Sequence, residues 1–322
     1  MTKFVGRRGD LMISKESSRG TASTTNPFYI PRSSVTFDDK TATARENEGL
    51  GKLADSDANF VVQKMAEGEF ESNLDDKIIG IVLSSLLGSS PVTTGSNPYT
   101  HTYTLSNSNQ HQSLSVLYQD PDFTKLYPMA VVDSLKITIE QNAIVVFTVG
   151  LKSRVGRDWT VQSATLNAQG NKFLHQHLVF KLASAVGGLA AATAISLKKL
   201  ELTISANTIH DTVIGTVEPE DVLGQQFSVE GTLELNKEDN TYRNYMLDGT
   251  YRAMDISLVR SATNSSLQLQ FPRVDFSEWE QDRSLDSIVS QTVNFKANYD
   301  AANALDIIST CVLLNTYAGT GY

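Results

Sequence analysis

The carboxylates of E-G-E-F-E-S-N-L-D-D, residues 67–76, are the first residues of this chain whose types and spacing invite chemistry. Glycoside hydrolysis needs two carboxyl groups facing each other across a sugar in unlike environments, one ionised and one protonated. Glu67, Glu69 and Glu71 alternate instead, so a strand places them side by side on one face, with Gly68 and Phe70 on the other. Three such neighbours are all solvated and similar in acidity, which suits a wet acidic face better than a reaction centre. The segment returns as E-G-T-L-E-L-N-K-E-D at 230–239, where Glu230 and Glu234 persist and Thr232 stands in the place of Glu69. A surface tolerates that exchange more readily than a catalytic site does.

His175 and His177 in L-H-Q-H-L would share one face of a strand and offer two metal ligands. A third ligand and a supporting shell are missing from the pattern, so a surface or interface pair is expected, and His101 and His111 are expected to be satisfied structural histidines. A nucleophile elbow, a phosphate-binding loop and a dinucleotide fingerprint are absent from the sequence. A-V-G-G-L-A-A-A-T-A (185–194) lacks the Lys and Ser/Thr of a phosphate cradle and reads as a loop or hairpin tip, while D-P-D-F (120–123) and D-D-K-T (38–41) read as turns. No catalytic residue, metal site or cofactor is expected, and hence no enzyme.

The elements that carry these residues are mostly strands. Alternating or β-branched runs occur at 101–105, 113–118, 134–140, 143–149, 199–205, 266–272 and 292–299, separated by Asn, Ser, Gly, Pro and Asp clusters. Two helices interrupt them. Ile78, Ile79, Val82, Leu83, Leu86 and Leu87 recur at helical spacing, with Ser72 or Asn73 as cap, Asp75 and Asp76 at the positive end of the dipole and Gly88 as the stop. N-T-Y-R-N-Y-M-L-D-G-T (240–250) sets Tyr242, Tyr245 and Met246 on one face, and each helix is expected to lay one apolar stripe on a sheet. Moving the first copy of the acidic motif from 67 to 230 also carries Ile79, Val82 and Leu83 onto Tyr242, Tyr245 and Met246. A motif that repeats with its flanks at half the chain length suggests duplication. The expected fold is mainly β (α+β), with two tandem β-sandwich or barrel domains, each flanked by a helix, at 1–160 and 161–322.

A chain of 322 residues with 40% hydrophobic and 20% charged residues has the composition of a globular protein. The lone Cys311 excludes an intrachain disulfide framework, and no run approaches the roughly 20 apolar residues of a membrane span. Folding in a cytoplasm without membrane contact is expected. A net charge of −9 argues against a protein that grips nucleic acid. Residues 1–33 nevertheless carry Lys3, Arg7, Arg8, Lys15, Arg19 and Arg32 against Asp10 and Glu16, a basic arm on an acidic body that is expected to dock on a neighbouring acidic surface.

I-S-K-E-S-S-R-G-T-A-S followed by F-Y-I-P (13–23 and 28–31) resembles the opening of the larger tail tube, or major tail, proteins of long flexible-tailed bacteriophages (siphophages). The order continues through E-G-E-F-E-S-N-L-D-D-K-I-I, Y-T-H-T-Y-T-L, S-L-S-V-L-Y, S-L-K-I-T-I-E-Q-N and the terminal V-L-L-N. The resemblance implies a structural virion protein of the phage tail whose β domains assemble into rings. Stacked rings form a hollow tube that conducts DNA without specific binding. It implies as partners the protein itself, a tape measure protein, and tail terminator or tail tip proteins, with assembly in the host cytoplasm. A tandem-domain subunit implies a trimeric ring of pseudo-sixfold symmetry, and a single-domain subunit a hexamer. Within that picture Glu67, Glu69, Glu71, Glu230 and Glu234 are expected to face the lumen. Lys3, Arg7, Arg8, Lys15 and Arg19 are expected to reach between stacked rings, with loops 89–100 and 119–130, so that deleting residues 2–20 leaves a folded protein that no longer polymerises. The competing expectation is a carbohydrate-binding or hydrolytic β-sandwich of a baseplate or fibre, which would need an aromatic platform or an opposed carboxylate pair, whereas aromatics are only 8% and Trp159 and Trp279 lie far apart in sequence.

Overall fold

The computed structural model describes residues 5–48, 51–53, 55–56, 58–163, 170–285 and 288–322. Strands β1 (Asp10–Lys15), β2 (Phe28–Ile30), β3 (Arg32–Val35), β4 (Asp38–Arg45) and β5 (Asn59–Asn73) lead into helix α1 (Ile78–Leu87). After it come β6 (Val92–Thr94), β7 (Tyr99–Tyr103), β8 (Leu114–Gln119), β9 (Thr124–Glu140), β10 (Val146–Ser153) and β11 (Arg157–Asp158). The second half runs through β12 (Leu178–Ala183), β13 (Lys199–Ser205), β14 (Ile209–Asp211), β15 (Asp221–Leu223) and β16 (Ser228–Asn236) to helix α2 (Thr241–Leu247). It ends with β17 (Arg252–Arg260), β18 (Ser265–Asp282), β19 (Ser290–Asn298) and β20 (Thr310–Asn315). The protein is mainly β, and alternation explains most strands: K-L-E-L-T-I-S of β13 buries Leu200, Leu202 and Ile204 and turns Lys199, Glu201 and Thr203 outward.

The pairing order β1–β8–β9–β10–β5 recurs as β12–β17–β18–β19–β16, antiparallel throughout. β9 and β18 are long because each serves two neighbours in turn. β9 pairs with β8 up to Ala130 and with β10 from Val131, and β18 exchanges β17 for β19 near Val274. A bulge sits at the same place in both. Asp133 is the extra residue opposite Gly150 and Leu151, and Ser277 is the extra residue opposite Asn294 and Phe295. An extra residue bends its strand and strengthens its twist, which lets one strand pass from one packed layer into the other.

Three connections tie the halves together. β13 pairs with β16 on one side and with β9 on the other, from Lys199 opposite Glu140 to Ser205 opposite Ser134, so the sheet continues across the middle of the chain. The last strand, β20, pairs with β18 and with β7. The main hydrophobic cluster among the described residues spans both halves, from Leu11 through Phe147 and Phe180 to Tyr322.

Four local expectations are corrected. Ser72 and Asn73 do not cap α1: both lie in β5, and the Asp75 carboxylate accepts from the Lys77 and Ile78 N–H groups at 2.9 and 3.3 Å. α1 carries no exposed stripe, because the chain end covers its far side. Tyr322 lies against Gly80 and donates its hydroxyl to the Lys77 carbonyl at 2.8 Å, and all ten helix residues are buried. D-D-K-T opens strand β4 instead of forming a turn, because its backbone pairs with β5 from Asp38 opposite Glu67 onward. His175 and His177 sit in a 3₁₀ turn, not on a strand, with His177 Nδ1 accepting from the Leu174 N–H at 3.0 Å. The expected stop at Gly88 is present, in the left-handed region at φ 77°.

Candidate functional surface

β5 alternates Phe70 and Ser72 into the core with Glu67, Glu69 and Glu71 outward, and β16 alternates Val229, Leu233 and Leu235 with Glu230, Thr232 and Glu234. The register puts both sets on one continuous sheet face. One row crosses the sheet as Glu71, Thr148, Lys136, Thr203, Glu230 and Lys296. Another crosses as Thr138, Glu201, Thr232, Asn294 and Glu278. The two acidic motifs, far apart in sequence, thus belong to a single surface that turns its back on the core.

The glycine of each motif is required by the strand beside it. A Cβ on Gly68, whose φ is +149°, would lie 2.5 Å from the Thr36 carbonyl oxygen, and a Cβ on Gly231 would lie 2.2 Å from that of Glu201. Thr36 and Glu201 are neighbours of the two motifs at matching register, the first across from Glu69 and the second across from Thr232. Close backbone approach, repeated in each half, accounts for the repeated E-G.

Lysines interrupt the acidic surface at set points. Lys136 meets Glu201 at 2.8 Å, and Lys199 bridges Glu140 and Glu201 at 2.8 Å each. The two lysines hold the Glu201 carboxyl below the usual carboxylate range, and hydrogen bonds to Glu140 and Glu201 push Lys199 up. These ion pairs sit across the β9–β13 junction, joining first-half to second-half strands. Asp133, the bulge residue, turns the same way: its Oδ1 accepts from Lys152 Nζ at 3.2 Å and from the Thr208 N–H and hydroxyl at 2.7 and 2.6 Å. Bulges re-aim side chains, and this one aims a carboxylate into the second half.

The basic residues of the N-terminal segment divide. Arg7 and Arg8 are exposed in a short 3₁₀ turn, and Lys3 lies outside the described residues. Lys15 ends β1 and donates to Ser90 Oγ at 2.6 Å and to the Tyr322 carbonyl. Arg19 pairs with Asp221 at 2.6 Å and donates to the carbonyls of His111 and Val222. Residues 10–20 are therefore structural, with Leu11, Met12 and Ile13 buried in β1. The expectation that a 2–20 deletion leaves a folded protein is corrected on that ground: it would remove a strand paired with both β2 and β8.

Glu16 carries a role that charge counting does not reveal. It is 2% exposed, and its carboxylate accepts from the Gly20 N–H at 2.7 Å, the Ser115 hydroxyl at 2.8 Å and the Met129 N–H at 2.9 Å. The short run E-S-S-R-G is thereby clamped onto β8 and β9. The signal was its place in an otherwise small-residue loop directly after the apolar β1.

Among the described residues no group of three His, Cys, Asp or Glu side chains is placed to hold a metal. His101 is buried against Thr93, Asn315 and the Tyr317 carbonyl. Trp279 donates to Gln291 Oε1 at 2.9 Å beneath the Lys237 ammonium, so it does not offer an open face for a sugar.

No curated protein matches the chain. Residues 6–297 match the family model of the phage tail tube protein, a span that takes in both acidic motifs, both helices and the strands that share the charged face. The chain belongs to the phage tail tube protein family.

Proposed function

We propose that the chain is a structural subunit that closes into rings, and that stacked rings form the tail tube through which the genome leaves the virion. The carrying observation is the charged sheet face that runs without interruption from β5 to β18 with its glutamates on one side. Turned toward the axis, Glu67, Glu69, Glu71, Glu230 and Glu234 repel phosphate, and at physiological salt that repulsion reaches only about 8 Å, so it keeps DNA off the wall without steering it. The subunit carries two tube domains, 1–160 and 161–322, and three copies make a ring of pseudo-sixfold symmetry. The recurrence of one pairing order with one bulge in each half supports that reading over a hexamer of single-domain subunits. The tube holds no cofactor and performs no catalysis. Its partners are further copies of itself, a tape measure protein inside, and terminator or tip proteins at the ends.

Between rings, contacts come from Arg7 and Arg8, from the 89–100 segment with the exposed Val92, and from the turn at 120–123 with the exposed Phe123; the rest of the expected 119–130 loop is strand, paired in β8 and β9. Negative-stain electron microscopy of concentrated protein tests the proposal. Hollow tubes whose rings show six-fold-like density from three chain masses are expected. Compact particles that never stack overturn it, and rings of six chains overturn the tandem-domain part alone.

A further inference from the structure

The β9–β13 junction has a counterpart in the second half that is left open. β9 offers Ser134–Glu140 to β13 on the edge opposite β10, just beyond the bulge at Asp133. β18 carries the same bulge at Ser277, and the residues beyond it, Glu278–Asp282, pair with β19 on one edge. Among the described residues no strand pairs their other edge. The partner side is equally matched. β13 lies against Ser228–Glu234 of β16, and the segment in the same position against Met65–Glu71 of β5 is Ser34–Lys40. Its outer edge is also without a strand among the described residues. The close approaches already described confirm the correspondence of these two segments, since Thr36 and Glu201 present their carbonyls to Gly68 and Gly231.

We propose that the free edge Glu278–Asp282 of one subunit pairs antiparallel with Ser34–Lys40 of a second copy of this chain, reproducing between subunits the contact that β9 and β13 make within one. This rests on the ring assembly proposed above and names its seam. Carrying over the β9–β13 register sets Glu278 opposite Lys40, Glu280 opposite Asp38, Gln281 opposite Phe37 and Asp282 opposite Thr36. Lys40 then stands across from Glu278, as Lys199 stands across from Glu140, and diagonal to Glu280, as Lys136 stands to Glu201 inside the chain, which offsets the like charges of Glu280 and Asp38. Closing each edge on the next copy covers both free edges of the charged sheet, and a long unpaired edge is otherwise a template for uncontrolled association. The contact is heterologous, head to tail, so repetition closes a ring instead of stopping at a dimer.

The test is a register-specific cross-link in the full chain. In E280C/D38C the two new thiols face each other on adjacent strands, within the Cα separation a disulfide spans. Oxidation of assembled tubes should give covalent dimers and one limiting species, the closed ring, on a non-reducing gel. E280C/D158C, with its second thiol on β11, should give none. Amide exchange on the unmodified protein provides a second reading: Glu278–Asp282 and alternate amides of Ser34–Lys40 should exchange at least tenfold more slowly in tubes than in subunits. Tubes that form without the cross-link and without that protection overturn this seam while leaving ring assembly standing. Unmodified protein that never assembles overturns both.

Discussion

Arg19 of the N-terminal segment reaches Asp221 of the second half at 2.6 Å, and the same guanidinium serves the carbonyls of His111 and Val222. Asp221 receives Gln110 Nε2 as well, at 3.0 Å. A segment that its charge marks as a docking arm is here a clasp between the two halves. Arg19→Ala strands a mostly buried carboxylate and is expected to cost about 3 kcal/mol. Arg19→Lys should recover little of it, because a single ammonium cannot reproduce three directed contacts. Denaturant midpoints of the subunit decide, and an Arg19→Ala protein as stable as the wild type would show that the clasp is idle.

The motif glycines set a second expectation. Gly231→Ala places a methyl 2.2 Å from the Glu201 carbonyl oxygen and against the Phe295 ring, so two strands must separate. Overpacking of this kind costs about 1–3 kcal/mol. Gly249 has φ +61° but open space around its Cβ position, so Gly249→Ala should cost only about 1 kcal/mol, the penalty of the left-handed backbone alone. Equal losses at the two positions would mean that close strand approach is not the reason for the repeated E-G.

Asp75 is a fully buried carboxylate at the head of α1, with Lys172 Nζ 3.5 Å from its Oδ2. Burial pushes its pKa above the ordinary value of 3.8, against the opposing pull of the helix N–H groups and Lys172. A raised folded value means that its contribution is fully present below the unfolded value and is lost as pH rises through the folded one. Asp75→Asn keeps a carbonyl for the helix cap and removes the buried charge. Its stability relative to wild type should therefore rise from acid toward neutral pH, whereas Asp75→Ala, without a cap, should lose about 1 kcal/mol. Thermal unfolding of the three proteins between pH 3.5 and 7 distinguishes these slopes.

How far the sequence foretold the structure depends on what each strand touches. β13 and β19 each show one wet face and one buried face, and alternation finds them directly. β1 and β17 are buried on both faces over most of their length, so D-L-M-I-S-K and R-A-M-D-I-S-L-V-R carry no period of two to detect. The acidic motifs were visible as strand faces, and the register then joined them on one surface. Lys136, Lys199 and Asp133 were invisible as members of that surface, because membership depends on pairing between residues well separated in sequence, such as Lys136 with Thr203 and Lys199 with Glu140, which no local pattern encodes. Tyr322 covers α1 from the chain end for the same reason.

The charged face itself supports the last prediction. Among the described residues no ion pair engages Glu69, Glu230 or Glu234, and Glu69 and Glu230 are exposed, so E69K/E230K/E234K should leave subunit stability within about 0.5 kcal/mol. The triple reversal changes the charge of each subunit by six units on one face, turning repulsive positions into phosphate contacts. Contacts between lysine and phosphate release counterions, so their strength falls steeply with salt. If the face lines the channel, virions built from this variant should eject DNA slowly and incompletely at low salt and recover as salt rises, while tube dimensions stay the same. If the face lies outside the channel, ejection is unchanged at every salt concentration. Glu201→Lys makes the contrast, because it breaks the bridges of Lys136 and Lys199 across the β9–β13 junction. That variant should weaken the subunit itself, so a defect in ejection there tracks loss of intact tubes and does not relax with salt.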